Sequence, residues 1–371
     1  MEVEYKMKIF LYSDLHISRT SSIMPIGNDN KYTYRQKMII ETGNYLANII
    51  DEEQPDLIIN LGDTFDQHTV TSYDIDVASE FFKCFRMLNI PHLVLVGNHE
   101  MVNQEFNAIK ILSNINNITV ISEACAVNTN LITGIRHPDA DLSNTPKDEN
   151  IKLAFLPYCN HKDILEFPEG DFLFSHQDIQ GSIIRGSFAL PEGIDPNILK
   201  DKYKLVFNGH IHKPSISGNV INVGSISTHS FSDDEEAVPQ CYIFDTETMD
   251  FKTFKPTICP LFRKFNIELD ISELENFINR LNKNYKYILH ITCPFEIKEE
   301  IKEYLEQNKD IVISNRLSIK VSKEEKSDDN SESLLNLQSN IDIKQSFKDF
   351  LDITDLKLPR KYYDIVLEGV K

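Results

Sequence analysis

The stretch PDLIINLGDTFD, residues 55–66, is a β-branched apolar run that ends in a glycine-started turn carrying two aspartates. A short continuous apolar run bounded in this way predicts a buried strand, with a polar, metal-capable loop at its end. The arrangement recurs in KIFLYSDLH (8–16), PHLVLVGNHE (91–100), DFLFSHQD (171–178) and KLVFNGHIH (204–212). Between the early runs, residues 34–52 and 77–88 place apolar side chains three and four apart, which predicts helices. Alternation of strand, loop and helix argues for α/β layering with ligands at the carboxyl ends of strands. The later runs at 131–135, 153–156, 219–223 and 240–245 follow one another without long helices. Two packed sheets are therefore expected, rather than one doubly wound sheet.

At 371 residues the chain has room for one large catalytic domain with a smaller appendage, or for two ordinary domains. No stretch approaches the length of apolar sequence that a membrane-spanning helix needs. The opening residues, MEVEYKMKIF, are acidic where a signal peptide would be basic, so a soluble, cytoplasmic protein is expected. Cys84, Cys125, Cys159, Cys241, Cys259 and Cys293 contain no C-x-x-C pair. Buried thiols are expected, not a disulfide framework or a cysteine zinc site.

The net charge of −19 is unevenly spread: residues 1–260 carry 20 Lys and Arg against 36 Asp and Glu, and residues 261–371 carry 18 against 21. Neutralising nucleic-acid phosphates takes a basic surface, so a simple DNA-binding module is excluded. Duplex DNA should bind the isolated chain weakly. A metalloenzyme fits, since bound divalent cations would offset some of the carboxylates.

Past residue 260 the texture changes. Residues 262–269, 285–292 and 311–321 are strand-like, and 272–281 and 296–307 are helical. This β-α-β-α-β unit sets an expected division into a domain at 1–260 and a small α/β cap at 261–322. KEEKSDDNSES at 323–333 is polar and aperiodic, which predicts a linker. Residues 334–371 scatter Ile341, Phe347, Phe350 and Leu351 among charges, the pattern of a partner-docking tail.

Five clusters carry the chemistry: Asp14-x-His16, Gly62-Asp63-Thr64-Phe65-Asp66, Gly97-Asn98-His99-Glu100, Ser175-His176 and Gly209-His210-Ile211-His212. Each is weak alone, but all five directly follow predicted strands. Together they mix imidazole, carboxylate and amide, a set that suits two divalent metals. Two cations held a few ångströms apart need a bridging ligand, and the two oxygens of Asp63 make it the best candidate. Gly62 lets the backbone turn sharply before it. Asp14 and His16, two apart in an extended segment, should point the same way and grip one metal. His210 and His212 should share a side and could serve one ion each, and Asn98 offers a neutral carbonyl oxygen. Water activated in such a site hydrolyses phosphoesters. His99, next to a ligand, is the natural general acid for the leaving oxygen. These residues alone leave the role of His176 ambiguous.

The five motifs resemble the calcineurin-like metallophosphoesterase superfamily over residues 7–245. The resemblance implies an α/β fold, a four-layer αββα metallophosphoesterase sandwich of two mixed sheets flanked by helices. It implies one metal at Asp14, His16, Asp63 and His212, a second at Asp63, Asn98, His176 and His210, and His99 as the catalytic histidine. More narrowly, GDTFD, GNHE, SHQDIQG and GHIHKP, followed by INVGSIS and the acidic stretch 233–236, are similar to the SbcD nuclease family. The linker and tail look most like its phage-encoded branch of recombination endonuclease subunits. This resemblance implies an endo/exonuclease using two divalent ions, Mn²⁺ with Mg²⁺ as the alternative, in the host-cell cytoplasm. It further implies DNA as substrate, an SbcC-type SMC-like ATPase bound through the tail, and a homodimer. Asp66 stands where bacterial SbcD-like chains carry aspartate, and would orient His99 through a hydrogen bond. Serine/threonine phosphatases of the superfamily follow that aspartate with Arg, whereas Gln67 follows here.

Two other readings compete. A nucleotide or small-molecule metallophosphodiesterase suits the acidic composition, and a non-catalytic scaffold would explain the tail. The complete set of ligand side chains and His99 speaks against the scaffold. Glu100 either supports the site or caps the helix after it, and Arg19, Lys31 and Arg35 could touch DNA backbone. His68, His92, His137, His161, His229 and His290 belong to no cluster and are expected to be structural or exposed.

Overall fold

The computed structural model describes residues 7–18, 31–102, 107–115, 117–129, 151–164, 166–228, 230–231 and 237–319. The expected strand at 131–135, the linker, the tail, Arg19, His137, His229 and the acidic stretch 233–236 lie outside the described residues.

The apolar runs of the sequence are buried on both faces, as strands covered from either side require. In chain order the first half holds β1 (Lys8–Tyr12), α1 (Tyr34–Glu53), β2 (Leu57–Asn60), α2 (Ser72–Lys83), β3 (His92–Leu95), β4 (Ile118–Ile121), β5 (Cys125–Asn128), β6 (Lys152–Leu156) and β7 (Phe172–Ser175). There follow β8 (Ile183–Arg185), β9 (Phe188–Ala189), α3 (Pro196–Lys202), β10 (Leu205–Asn208), β11 (Ser215–Ser217), β12 (Val220–Asn222), β13 (Cys241–Asp245) and β14 (Phe251–Phe254). Last come β15 (Leu261–Asn266), α4 (Ile271–Arg280), β16 (Tyr287–Cys293), α5 (Lys298–Gln307) and β17 (Val312–Ile319).

Two six-stranded mixed sheets form the larger part. One has the order β14-β13-β1-β2-β3-β4 and the other β11-β12-β10-β7-β6-β5. Their facing side chains, among them Ile9, Leu11, Ile59, Leu95, Phe155, Phe174, Phe207 and Phe244, make the central core. On the outer face of the first sheet, Phe10, Tyr12, Ile58 and Val94 pack with Ile39, Leu46, Val77 and Phe81 of α1 and α2. Beyond the second sheet, Leu173, Val206 and Val220 pack with Leu199 of α3 and with Tyr203. The layer order is αββα, as expected. Among the described residues no helix is long and apolar enough to cross a membrane.

The helix expected at 34–52 is α1, whose start is set by a capping box between Thr33 and Gln36. The one expected at 77–88 begins five residues earlier, because Thr71 and Asp74 form the same reciprocal cap. It stops at Lys83, and Arg86–Leu88 is a separate 3₁₀ turn. Apolar period alone does not see a cap.

The strands β15, β16 and β17 form a third, all-parallel sheet. Leu261, Tyr287, Leu289, Ile291 and Val312 face Leu274 and Ile278 of α4 and Ile301 and Leu305 of α5. Both helices thus cover one face. On the other, Phe262 and Ile288 pack with Met38 and Cys259.

Candidate metal centre

The strands β1, β2 and β3 run parallel, as do β7 and β10, so each sheet gathers its carboxyl ends on one side. The five clusters occupy the loops at those ends. Beyond β1 and β2 the pairing continues into the loops: the amides of Asp14, His16 and Ile17 donate to the carbonyls of Gly62, Asp63 and Thr64 at 3.0, 3.0 and 2.8 Å. Two ligand loops are thus zipped together by the register of the strands beneath them.

Asp14, His16, Asp63 and His210 all have left-handed backbone, with φ of 55°, 49°, 49° and 69°. The extended geometry expected around Asp14 and His16 is therefore incorrect. The chain turns at each ligand, and the loop-to-loop hydrogen bonds hold residues in a conformation that costs non-glycine side chains about 1–3 kcal/mol each. Gly97 is needed for space, since a Cβ there would collide with the amide and carboxylate of Asp63.

The sequence-predicted ligands converge. Asp14, His16 and His212 bring ligand atoms within 4.8 Å of one another, as do His16, Asp63 and His99, and Asp63, His176 and His210. Asn98 joins the last group, its Oδ1 3.1 Å from His176 Nε2 and 3.0 Å from His210 Nδ1. Asp63 is buried at the middle. Its Oδ1 accepts the His99 amide at 3.0 Å. Oδ2 faces His176 Nε2 at 3.3 Å, His16 Nε2 at 3.8 Å and His99 Nε2 at 3.9 Å.

The hydrogen bonds around the ligands decide which atoms they present. His176 Nδ1 donates to the Leu61 carbonyl at 2.8 Å, and His210 Nε2 donates to Asp178 Oδ1 at 2.9 Å. In their neutral forms both rings then aim a lone pair at Asn98 Oδ1, beside the oxygen of Asp63. Acceptors turned toward acceptors fit a cation between them. The same holds nearby: the buried Asp14 Oδ1 accepts no hydrogen bond from the described residues, and it faces His16 Nε2 and His212 Nε2 at 3.8 and 3.6 Å. The donor set fits two divalent ions.

The same carboxylates and imidazoles govern each other's protonation. Burial disfavours the charged form of His16, but the carboxylates of Asp14, Asp66 and Asp63 outweigh it and push the ring up to about 10. His176, likewise opposed by burial, is raised to about 9 by Asp63 above all. Burial opposes the ionised forms of Asp14 and Asp63 too, yet the surrounding imidazoles hold both carboxyls below their ordinary range.

The role expected of Asp66 needs correction. Its backbone carbonyl accepts from His99 Nδ1 at 2.7 Å, while its carboxylate lies 3.3 Å from His16 Nδ1. His99 is oriented by main chain, and the Asp66 side chain attends a metal-ligand histidine. Arg35 is also corrected: it is buried, donating to the carbonyls of His16 and Thr228 at 2.7 and 3.3 Å and to Ser18 Oγ, and is closed off from any DNA. Lys31 pairs with Asp76 at 3.3 Å.

Two supporting carboxylates differ in how visible they were. Among the described residues the Glu100 carboxylate caps no helix; it is buried and accepts the Phe65 and Gly97 amides at 2.9 and 2.7 Å, tying the loops after β2 and β3. Burial and the nearby Asp63 raise its carboxyl to about 8. Asp178 was missed, although its place two residues after His176 in the same loop was the available signal. His92 is structural: it is buried beside the Tyr12 hydroxyl at 3.0 Å, and burial lowers it to about 3.

Residues 7–214 match the protein family described as calcineurin-like phosphoesterase. No curated protein matches the chain. Among solved structures, the TT1561 protein of Thermus thermophilus is 9% identical over 68% of this chain and 99% of its own, with a TM-score of 0.37. A dimetal phosphatase from Danio rerio is 10% identical over 67% of this chain and 98% of its own, with a TM-score of 0.35.

Proposed function

Because the chain belongs to the calcineurin-like phosphoesterases, a family of metal-dependent hydrolases, we propose that its phosphoester substrate is DNA and that it acts as an SbcD-type endo/exonuclease subunit. The observation that carries this reading is the ordered motif set from GDTFD to INVGSIS, followed by a β-α-β-α-β unit after residue 260. That layout suits a nuclease domain at 1–260, a cap at 261–322, a linker at 323–333 and an ATPase-binding tail at 334–371. The partner would be an SbcC-type SMC-like ATPase, the metal Mn²⁺, and the chain a homodimer.

Asp14, His16, Asp63 and His212 would hold one ion, and Asp63, Asn98, His176 and His210 the other. Two such ions supply Lewis-acid polarisation of the phosphoryl group and a nucleophile at neutral pH. His99 keeps Nδ1 on the Asp66 carbonyl, so its second nitrogen, Nε2, faces the site. Nε2 carries a proton only in the imidazolium form, and that is the proton a general acid gives to the departing oxygen. The ring is more than a third exposed, open enough to meet a polymer.

A second reading, a nucleotide or small-molecule phosphodiesterase, is favoured by the net charge of −19. Hydrolysis of linear DNA and of a small chromogenic phosphodiester, with Mn²⁺ and with or without the ATPase, separates the two. The nuclease reading expects DNA cleavage that His99→Ala reduces at least a hundredfold. It also expects a chain ending at residue 333 to lose stimulation by the ATPase while keeping small-diester turnover. Diester turnover with DNA untouched even beside the ATPase would sink it.

A further inference from the structure

Outside the metal centre, three cations line one cavity of 380 Å³ together with an aromatic ring. The register of the third sheet builds it. Lys264 of β15, His290 of β16 and Arg316 of β17 are register partners, so their side chains stand in one row on one face. Asn266 and Thr292 continue that face two residues on. The preceding row, Phe262 and Ile288, is buried with Met38 and Cys259, and α4 and α5 close the opposite face. The sheet is therefore apolar at its root and basic beyond. Arg185 of β8 and the Phe231 ring complete the lining.

Among the described residues no carboxylate pairs with Arg185, Lys264 or Arg316, although acidic residues outnumber basic ones 57 to 38 in the chain. The field is felt by His290, whose protonation is disfavoured by burial and then by Arg316 and Lys264. A chain segment also leads here from the metal centre. Ser225 Oγ donates to the Asp14 carbonyl at 2.7 Å, Ser227 Oγ to the Leu15 carbonyl at 2.8 Å, and Thr228 Oγ1 to the Pro260 carbonyl at the root of β15. Ser225 and Phe231 are six residues apart, so at most about 22 Å separates their Cα atoms.

We propose that this cavity is a subsite for a single nucleic-acid strand, taking a backbone phosphate on Arg185, Lys264 and Arg316 and a base against Phe231. The proposal rests on the nuclease reading and deepens it. Three cations that no described carboxylate answers match a phosphate, Asn266 and Thr292 offer hydrogen bonds to sugar or base, and an aromatic face stacks any base. A stacked base must have left its duplex, which makes the ligand single-stranded. The distance bound allows one strand to occupy cavity and metal centre a few nucleotides apart. The charge of the whole chain, which argued against coating DNA, is thus compatible with one local grip.

The test uses the full chain in EDTA and a fluorescein-labelled 12-nucleotide DNA strand, read by anisotropy over a salt series. Lys264→Glu/Arg316→Glu is expected to weaken binding at least tenfold at low salt and to flatten the salt slope by about 0.7, the loss of one neutralised phosphate. Phe231→Ala should weaken binding roughly 5- to 100-fold with the slope unchanged. Mn²⁺-dependent turnover of the small diester should stay at the wild-type level in both; if the charge reversal fails to fold, Lys264→Gln/Arg316→Gln repeats the measurement. Equal binding by wild type and a folded charge variant, or no strand binding by the wild type, overturns the subsite. Cleavage of DNA unaffected by the substitutions would overturn it while leaving the nuclease reading intact. Strand binding lost in the variants, with no DNA cleavage by the wild type even beside the ATPase, would support the subsite and overturn the nuclease.

Discussion

Asp178 receives the Nε2 proton of His210 at 2.9 Å and so fixes which nitrogen that ring turns to the metal centre. Carboxylates in this position typically change metal affinity 10- to 100-fold when removed. Asp178→Ala is therefore expected to weaken the ion assigned to Asp63, Asn98, His176 and His210 by that factor, with the other little changed; titration calorimetry with Mn²⁺ reads both, and two unchanged affinities would contradict the assignment. At this scale the sequence was most informative about groups that sit within their own motif. Asp14, His16, Asp63, Asn98, His99, His176, His210 and His212 each follow an apolar run, and the structure brings them together. What it hid were relations between loops. Nothing in GDTFD says that Asp66 meets His99 through its carbonyl and His16 through its carboxylate, because both partners come from other strands. Glu100 was ambiguous because one of its two amide partners, Phe65, is 35 residues away in another loop.

At the scale of elements, the loops matter more than the strands they leave. Strand and helix positions follow from local period, and all five expected segments past residue 260 are present within a few residues. Local period is silent on the left-handed turns at Asp14, His16, Asp63 and His210; hydrogen bonds between loops, backbone to backbone at the first three and from the His210 amide to the Asp14 carboxylate, override the intrinsic preference of each residue. Gly97 shows how little room that leaves. Gly97→Ala places a methyl group against the Asp63 carboxylate and should cost about 1–3 kcal/mol of stability. It should also lower turnover of a small phosphodiester at least tenfold, since Asp63 must move; chemical denaturation and steady-state kinetics measure the two effects. Activity at the wild-type level would mean that the two loops can part without harm.

For the whole molecule, protons on buried groups tie stability to pH. His16 and His176 have folded values of about 10 and about 9, above the ordinary 6.5, and Glu100 of about 8 lies above its ordinary 4.5. Groups raised on folding stabilise fully below their unfolded values, and that stabilisation is lost as pH rises through the folded ones. His92, lowered to about 3, works on the acid side, its contribution present above pH 6.5 and lost as pH falls toward 3. In EDTA the melting temperature should therefore fall between pH 6.5 and 10, by roughly 5 °C or more, and Mn²⁺ should flatten the fall by displacing those protons. Scanning calorimetry at pH 6.5 and 9.5, with and without metal, checks this; a metal-free melt that rises with pH would reverse the sign argued here.

The closeness of His16 and His212, whose Nε2 atoms lie 3.0 Å apart across 196 residues of chain, also has a consequence in time. At a synthesis rate of about 5–20 residues per second, the first ligands leave the ribosome roughly 10–40 s before the last. Through that interval Asp14 and His16 have no partners from β7 or β10, and loop closure over so long a separation makes their meeting a late event. Metal capture is therefore a reaction of the nearly complete fold, and loading of the centre reports that the two halves of the sandwich have found each other.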